Sequence, residues 1–463
     1  MAELAIERTT IDGLLVLRLP VHGDSRGWFK ENWQREKMLA LGLPDFGPVQ
    51  QNMSFNAKAG ATRGIHAEPW DKFVALATGR VFCAWVDLRP GPGFGKTFTI
   101  EMGPDTAVFV PRGVANSYQA LEDGTTYSYL VNAHWSPEAR AKYTYVNLFD
   151  PELGIEWPIP ESEAEVSDAD RQHPMLADVT PMAPKKRYIL GAGGQLGTAL
   201  RELLPDAVTV DVDQLDLTDP AAIANFDFSD AQTVINAAAY TNVDGAETEE
   251  GRRLAWAINA TAVAALAAAA RKHRFTLVHI STDYVFDGAE EIHTENEPMA
   301  PLGVYGQSKA AGDLAAMSAP HHIILRTSWV VGSGKNFVRT MASLADRDIA
   351  PKVINDATGR LTFTEDLAAA IVHLLREGEH GVFNCSNSGP IQTWYDVAAR
   401  VFELRGRSRE NVTPVSTEEY NGDKAGIAPR PMNSAFDLSR LEATGFAIPS
   451  ADERLVAYVE GLA

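Results

Sequence analysis

Three groups of residues have types and spacings that could do chemistry. The first is Gly191-Ala192-Gly193-Gly194-Gln195-Leu196-Gly197, set between an apolar strand pattern, Tyr188-Ile189-Leu190, and a helical pattern reaching Leu204. Glycines there allow a tight turn, close approach of the backbone to a pyrophosphate, and close helix-strand packing. The helix N-terminus adds unpaired N–H groups and a positive dipole end. Asp211 ends the next strand, Val208-Thr209-Val210, where a carboxylate holds ribose hydroxyls. The second group is Tyr305 and Lys309, whose four-residue spacing puts both on one helix face. An ammonium beside a phenol favours the phenolate and lowers its pKa, which suits proton transfer near neutrality. The third is His66 with Glu68, Lys72, Tyr129 and Asp170. A histidine beside a carboxylate serves as a general base, Lys72 could stabilise an enolate, and Tyr129 could act as the opposing acid. From spacing alone, a core histidine and a core aromatic are the simpler reading. A metal site in a small β-barrel needs a His-x-His pair, a third histidine and a carboxylate. His66 stands alone, and Asn116 follows the Pro111-x-Gly113 turn where a ligand histidine would sit, so no metal is expected.

The elements that must position these groups fall into two textures. From Ile11 to Leu148, short apolar runs such as Phe73-Val74-Ala75-Leu76 and Val81 to Leu88 alternate with Gly/Pro turns, which predicts an all-β barrel or sandwich. From Arg187 onward strand, glycine turn, helix and strand alternate, which predicts a parallel α/β sheet. Its further strands are Thr233 to Ala239, ending in small residues against which a flat cofactor can lie, and Leu277 to Tyr284, ending in hydroxyls. The expected division is an N-terminal domain of residues 1–170, a proline-containing linker of residues 171–186, and a C-terminal domain of residues 187–463.

Composition bounds the function. The chain has 463 residues, 45% hydrophobic and 22% charged, and a net charge of −20. That acidity argues against binding nucleic acid or an anionic membrane, since both need clustered positive charge. Cys83 and Cys385 fall in different domains, so a disulfide framework is excluded and a cytoplasmic location is expected. The first ten residues carry Glu3 and Glu7 and no apolar core, unlike a secretory signal. The alanine-rich stretch Ala255 to Ala270 reads as too short and too weakly apolar to span a bilayer.

With these residues in place, two resemblances emerge. The glycine loop, Asn236 to Asp244, Ser281-Thr282-Asp283-Tyr284-Val285-Phe286-Asp287-Gly288, Tyr305-x-x-x-Lys309, Arg326 to Val330 and Arg430-Pro431 with Ser434 and Asp437 resemble dTDP-4-dehydrorhamnose reductases, members of the extended short-chain dehydrogenases. That resemblance implies a Rossmann domain using NADH or NADPH. It implies proton donation by Tyr305, with Lys309 tuning it and Thr282 orienting the carbonyl. Gly191, Gly194, Gln195, Leu196, Gly197, Asp211, Asp216, Leu217, Ala237, Ala238, Ala239 and Tyr240, with Tyr305 and Lys309, would hold the cofactor. Tyr284, Trp329, Asn336 and Arg430 would contact the sugar nucleotide. Leu361 stands where a proline is usual.

Asp24-x-Arg26-Gly27-x-Phe29, Gln51-Asn52-x-Ser54, Arg63-Gly64-x-His66 and Asp150-Pro151 with Trp157-Pro158 resemble dTDP-4-dehydrorhamnose 3,5-epimerases. That resemblance implies a cupin-like jelly roll in which His66 with Asp170 is the base, Lys72 stabilises the enolate and Tyr129 is the acid. Arg26, Glu31, Gln51, Asn52 and Arg63 would bind the nucleotide. It also implies a homodimer formed through residues 1–150. The chain departs from the pattern: residues 66–72 are a short stretch, Cys83 replaces an aspartate, Asn116 a histidine and Trp135 a tyrosine. Together the resemblances imply a bifunctional enzyme of dTDP-L-rhamnose synthesis. The departures leave open epimerisation at one carbon, or a binding or dimerisation module in the first half.

Overall fold

A computed structural model describes residues 3–422 and 426–462. The chain forms two compact units, Met1–Pro184 and Lys185–Ala463.

The first unit is two facing antiparallel sheets. A six-stranded sheet runs in the order Ala5–Arg8, Leu15–Arg18, Thr106–Val110, Lys72–Thr78, Thr125–Val131, Gln50–Asn56, and a five-stranded one in the order Thr144–Tyr145, Thr62–Ala67, Val114–Ala120, Val81–Asp87, Thr97–Met102. Side chains alternate across each strand, so one set from each sheet meets inside, among them Val74, Leu76, Cys83, Trp85, Val108 and Tyr127. The strands Val21–Asp24 and Gly27–Lys30 form a two-stranded hairpin of their own that is almost wholly exposed.

The expected linker is corrected by the structure. Asp168–Arg171 is a short helix capped by Ser167, and Leu176–Asp178 a 3-10 turn. Val179 and Met182 are buried in the first unit's core with Ile65 and Leu148, and Met182 N–H donates to the Leu88 carbonyl. Prolines 174, 181 and 184 suggested a spacer, but the few apolar residues between them suffice to bind the segment to the barrel.

The second unit is a six-stranded, wholly parallel sheet in the order Val208–Val210, Lys186–Leu190, Ala231–Asn236, Thr276–Thr282, His322–Thr327, Gly381–Cys385. Helices cover both faces, as the two separate apolar clusters on its sides show. The order reverses between Lys186–Leu190 and Ala231–Asn236, the switch point at which such sheets bind ligands. The alanine-rich stretch lies in a longer helical run, Glu249–His273, whose length and mean hydropathy of 1.4 would pass for a membrane span, contrary to the expectation of too short a stretch. Half of that window is buried inside the protein, and Val263, Leu266, Ala267 and Ala270 belong to the core against the sheet.

Candidate active sites

In the first unit, His66 lies on an inner strand of the five-stranded sheet and Lys72 opens a strand of the six-stranded one. Asn116, the cross-strand partner of His66, accepts a hydrogen bond from Lys72 Nζ at 3.0 Å and donates to Tyr127 Oη at 3.2 Å. The bond from Lys72 therefore joins the two sheets across the interior. Tyr129 contributes its ring face, 5.4 Å from Lys72 Nζ. Glu68 is in direct ionic contact with Lys72, and both side chains are buried. Burial pushes the Lys72 ammonium down to about 7, and the adjoining carboxylate opposes that loss of charge. Burial also raises the Tyr129 phenol, so it stays protonated as an acid must.

The partner of His66 comes from far along the chain. Asp170 is brought in by the helix Asp168–Arg171, and its Oδ1 lies 2.8 Å from His66 Nε2. Burial works to raise the Asp170 pKa, but the hydrogen bond and charge of His66, with His173 and Ser167, outweigh it and hold the carboxyl below its usual range. His66 is not alone: His173 Nε2 approaches the same Oδ1 at 3.9 Å, and the three ligand atoms lie within 4.8 Å of one another. Sequence reasoning missed His173 because its one signal is a position three residues after Asp170. It also left Glu68 without a role.

Of the nucleotide-binding residues expected in this half, Arg63 lies close enough for its charge to act on the Tyr129 phenol and Asn52 is the cross-strand partner of Tyr129, whereas Arg26 and Glu31 are held in surface ion pairs. Arg26 pairs with Asp24 on the exposed hairpin, and Glu31 pairs with Lys37. Gln51 donates to Ser128 Oγ at 3.1 Å, Asn52 accepts from Gln50 at 2.9 Å, and Arg63 Nε reaches Asn56 Oδ1 at 3.4 Å.

In the second unit the glycine loop leads into the helix Gln195–Leu203. A Cβ on Gly197 would lie 2.3 Å from the Gly191 carbonyl oxygen, and one on Gly191 2.9 Å from Ala238, so both must be bare. The first-turn N–H groups of Gln195, Leu196 and Gly197 have no intrahelical partner, and buried Gln195 Oε1 has none either. The Leu196 side chain itself is in the core, which leaves only its backbone to a ligand. A cavity of about 220 Å³ opens beside Gly191, Asp211, Asp216, Leu217, Ala238 and Ala239. Asp211 Oδ1 accepts from Gly193 N–H at 3.2 Å. Ala237 to Tyr240 follow the strand Ala231–Asn236 as a half-buried loop. These groups fit a dinucleotide: bare backbone for the pyrophosphate and a carboxylate for a ribose.

Tyr305 and Lys309 lie on the helix Val304–Ala316. Lys309 Nζ donates to the Ile280 carbonyl at 2.5 Å, and burial lowers its pKa to about 8. Tyr305 runs against expectation: burial, then the Asp283 charge, push its phenol above the usual value despite a Thr282 hydrogen bond. The ammonium is committed to a backbone carbonyl, so desolvation outweighs the i,i+4 attraction. Thr282 Oγ1 donates to Asp283 Oδ1 at 2.9 Å, and Ser434 Oγ to Oδ2 at 2.5 Å. Asn259, in a π-helical turn, brackets Tyr240 and donates to Ser308 Oγ at 3.1 Å. A lone polar side chain in an alanine run was the available sign of it.

A second cavity, about 590 Å³, is lined by Tyr284, Trp329, Trp394, Arg430, Ser434 and Asp244. Tyr284 meets Tyr305 edge-on at 5.5 Å, Trp329 stacks on Trp394 at 3.7 Å, and Arg430 pairs with Asp244 at 2.8 Å. Asn336, expected at the substrate, is used otherwise. It caps the helix Phe337–Asp346 by accepting from Arg339 N–H, and its amide donates to Gly332, Gly334 and Tyr458. Asparagine at a helix start satisfies orphan N–H groups, and here that demand uses the side chain.

Fold and sites together define a nucleotide-sugar enzyme, a Rossmann reductase joined to a jelly-roll epimerase. Residues 185–463 match the RmlD substrate binding domain, and the chain belongs to that family. Residues 8–178 match the dTDP-4-dehydrorhamnose 3,5-epimerase family. The first part is 49% identical over 180 residues to an RmlC homolog of Streptococcus pyogenes, covering 38% of this chain and 90% of that protein. The second is 38% identical over 282 residues to the dTDP-4-dehydrorhamnose reductase of Aggregatibacter actinomycetemcomitans, covering 57% and 94%. The solved reductase of Bacillus anthracis in complex with NADP is 35% identical with a TM-score of 0.55, covering 60% of this chain and 100% of its own. Epimerase and reductase domains of dTDP-L-rhamnose biosynthesis are thus fused in one polypeptide.

Proposed function

We propose that the chain performs two consecutive steps on one sugar nucleotide. The first unit epimerises dTDP-4-dehydro-6-deoxyglucose at C3 and C5, and the second reduces the 4-keto product to dTDP-L-rhamnose. His66, oriented by Asp170, removes a proton beside the ketone. The Lys72 ammonium, backed by Glu68 and Asn116, faces the enolate oxygen, and Tyr129 returns a proton on the opposite face. The observation that carries this reading is the 2.8 Å His66–Asp170 contact in the same interior as the Lys72–Asn116 bond.

In the second unit a bound NADH or NADPH supplies hydride to the C4 carbonyl. Gly191, Gly194 and the first-turn N–H groups would hold its pyrophosphate, Asp211 its ribose, and Ala238 and Ala239 its flat face. Tyr305 gives its proton to the carbonyl oxygen, Thr282 orients that oxygen, and Lys309 supports the tyrosinate that forms. The sugar nucleotide lies in the cavity of Tyr284, Trp329 and Arg430. Tethering raises the effective concentration of the intermediate.

A homodimer through the first unit is part of this reading. The edge strand Gln50–Asn56 exposes Met53 and Phe55, and the hairpin exposes Trp28 and Phe29, apolar surface that a partner would cover. Pairing there would also give Arg26, Glu31, Gln51 and Asn52 a ligand to bind. A cytoplasmic location fits the two free, buried cysteines.

The test is product analysis by NMR in D2O from the 4-keto sugar, with and without NADPH. Deuterium at C3 and C5 without cofactor, and rhamnose with it, are expected. Label at one carbon restricts the epimerase. No label, with reduction intact, makes the first unit a binding or dimerisation module.

A further inference from the structure

Asp170 presents a single oxygen, Oδ1, to two imidazoles. His66 Nε2 is 2.8 Å away and His173 Nε2 3.9 Å. The first is a hydrogen bond, and the second is too long for one. His173 is nevertheless held in place. Its ring stacks on Tyr145 at 4.6 Å, meets His66 edge-on at 5.2 Å, and its carbonyl accepts from Asn147 Nδ2 at 3.2 Å. Its other nitrogen, Nδ1, is buried, and Nε2 is the one turned to Asp170. Two imidazole nitrogens and one carboxylate oxygen thus converge from one side, within 4.8 Å of one another. The His66 side chain is 30% exposed, so solvent reaches the cluster.

We propose that His66, Asp170 and His173 bind a divalent transition cation of the zinc class, and that its binding switches the epimerase half off. Two histidines and a carboxylate are a donor set for borderline first-row dications. Ligand atoms in a tetrahedral site with bonds of about 2.1 Å lie roughly 3.4 Å apart, so side-chain rotation would open the 2.8 Å pair by about 0.6 Å and close the 3.9 Å pair by about 0.5 Å. Water takes the remaining position. The Asp170 carboxylate favours the ion, while the Arg140 charge felt at His173 works against it.

The ion takes the lone pair of His66 Nε2 and replaces the hydrogen bond to Asp170. The neutral ring keeps its one proton, now on Nδ1, so no lone pair remains to accept a proton from carbon. The inhibition rests on His66 being the base proposed above, whereas the binding does not.

The experiment titrates the full, tag-free chain with Co2+ and follows its d–d absorption. It then adds Zn2+ in competition and measures deuterium wash-in with and without Zn2+. His173→Phe keeps a ring on Tyr145 without a ligand nitrogen, and His173→Asn serves as a second variant if the first fails to fold. Expected are a Co2+ band that Zn2+ displaces, at least tenfold weaker binding in the variant, and wash-in that Zn2+ suppresses in the wild type and a chelator restores. The variant should keep its wash-in at the same Zn2+ concentration. No Co2+ band, equal affinity in the variant, or wash-in indifferent to Zn2+ would each overturn the proposal. If the metal-free wild type shows no wash-in at all, the epimerase reading fails while the Co2+ titration still decides the ion site.

Discussion

Lys72 and Lys309 are both buried, yet the two units balance their charges by different means. Lys72 touches the Glu68 carboxylate and donates to the Asn116 amide, one partner on its own sequence neighbourhood and one across the barrel. Among the described residues Lys309 donates to the Ile280 carbonyl, and its charge is balanced at longer range by Asp313. The carboxylate one turn along its helix, Asp313, is already held by Arg326 at 3.0 Å. Burial brings the Lys72 ammonium down to about 7, lower than Lys309, and the contacts with Glu68 and Asn116 fix its position in the barrel interior. The Rossmann unit holds an ammonium that burial has brought to about 8, easily shifted by whatever binds beside it.

The contrast can be broken in stages. Tyr305→Phe should lower reduction by about 100- to 10,000-fold, followed as NADPH oxidation on epimerised substrate, while deuterium wash-in stays at the wild-type rate. A parallel fall in wash-in would mean that the two chemistries are not separable. Glu68→Gln removes the carboxylate from a buried ammonium and should cost about 3–5 kcal/mol of stability in denaturant unfolding. Wash-in should fall with it, because Lys72 then favours the neutral amine.

A smaller effect distinguishes the lysines by pH. Lys309 is an ammonium below about 8 and an amine above it. The tyrosinate left after proton donation loses its counter-charge as pH rises through that value, so single-turnover reduction should decline there. A rate still rising between pH 8 and 9 would remove Lys309 from that role. The smallest effect separates a structural from a ligand-binding residue. Asn336→Ala should cost about 1 kcal/mol through loss of the helix cap and leave the KM for the sugar nucleotide unchanged. A raised KM with unchanged stability would return Asn336 to the substrate.

The legibility of each site follows the distance over which it is assembled. The reductase loop and the Tyr305/Lys309 pair are local patterns, a turn and one helical step, and both stand where the periodicity places them. The jelly-roll base spans 104 residues between His66 and Asp170. The segment carrying Asp170 borders one that reads as a linker because three prolines, Pro174, Pro181 and Pro184, break up its few large apolar residues. Leu277 to Tyr284 read as one strand, but it stops at Thr282, where the hydroxyl caps the following turn.

His66, Lys72 and Tyr129 stood out through a resemblance; by itself the sequence determined two domains of different texture, the dinucleotide loop with its acid, and the Tyr/Lys step. These depend on residue type and near-neighbour spacing, which short-range sterics and periodicity dictate. Tertiary structure alone decided that His173 joins His66 at Asp170, that Glu68 balances Lys72, that Asn336 caps a helix, and that the Tyr305 phenol is raised rather than lowered. Each of those depends on burial and on partners from other strands or helices. Desolvation and long-range contacts set the charge a group carries, and neither is written in its local pattern.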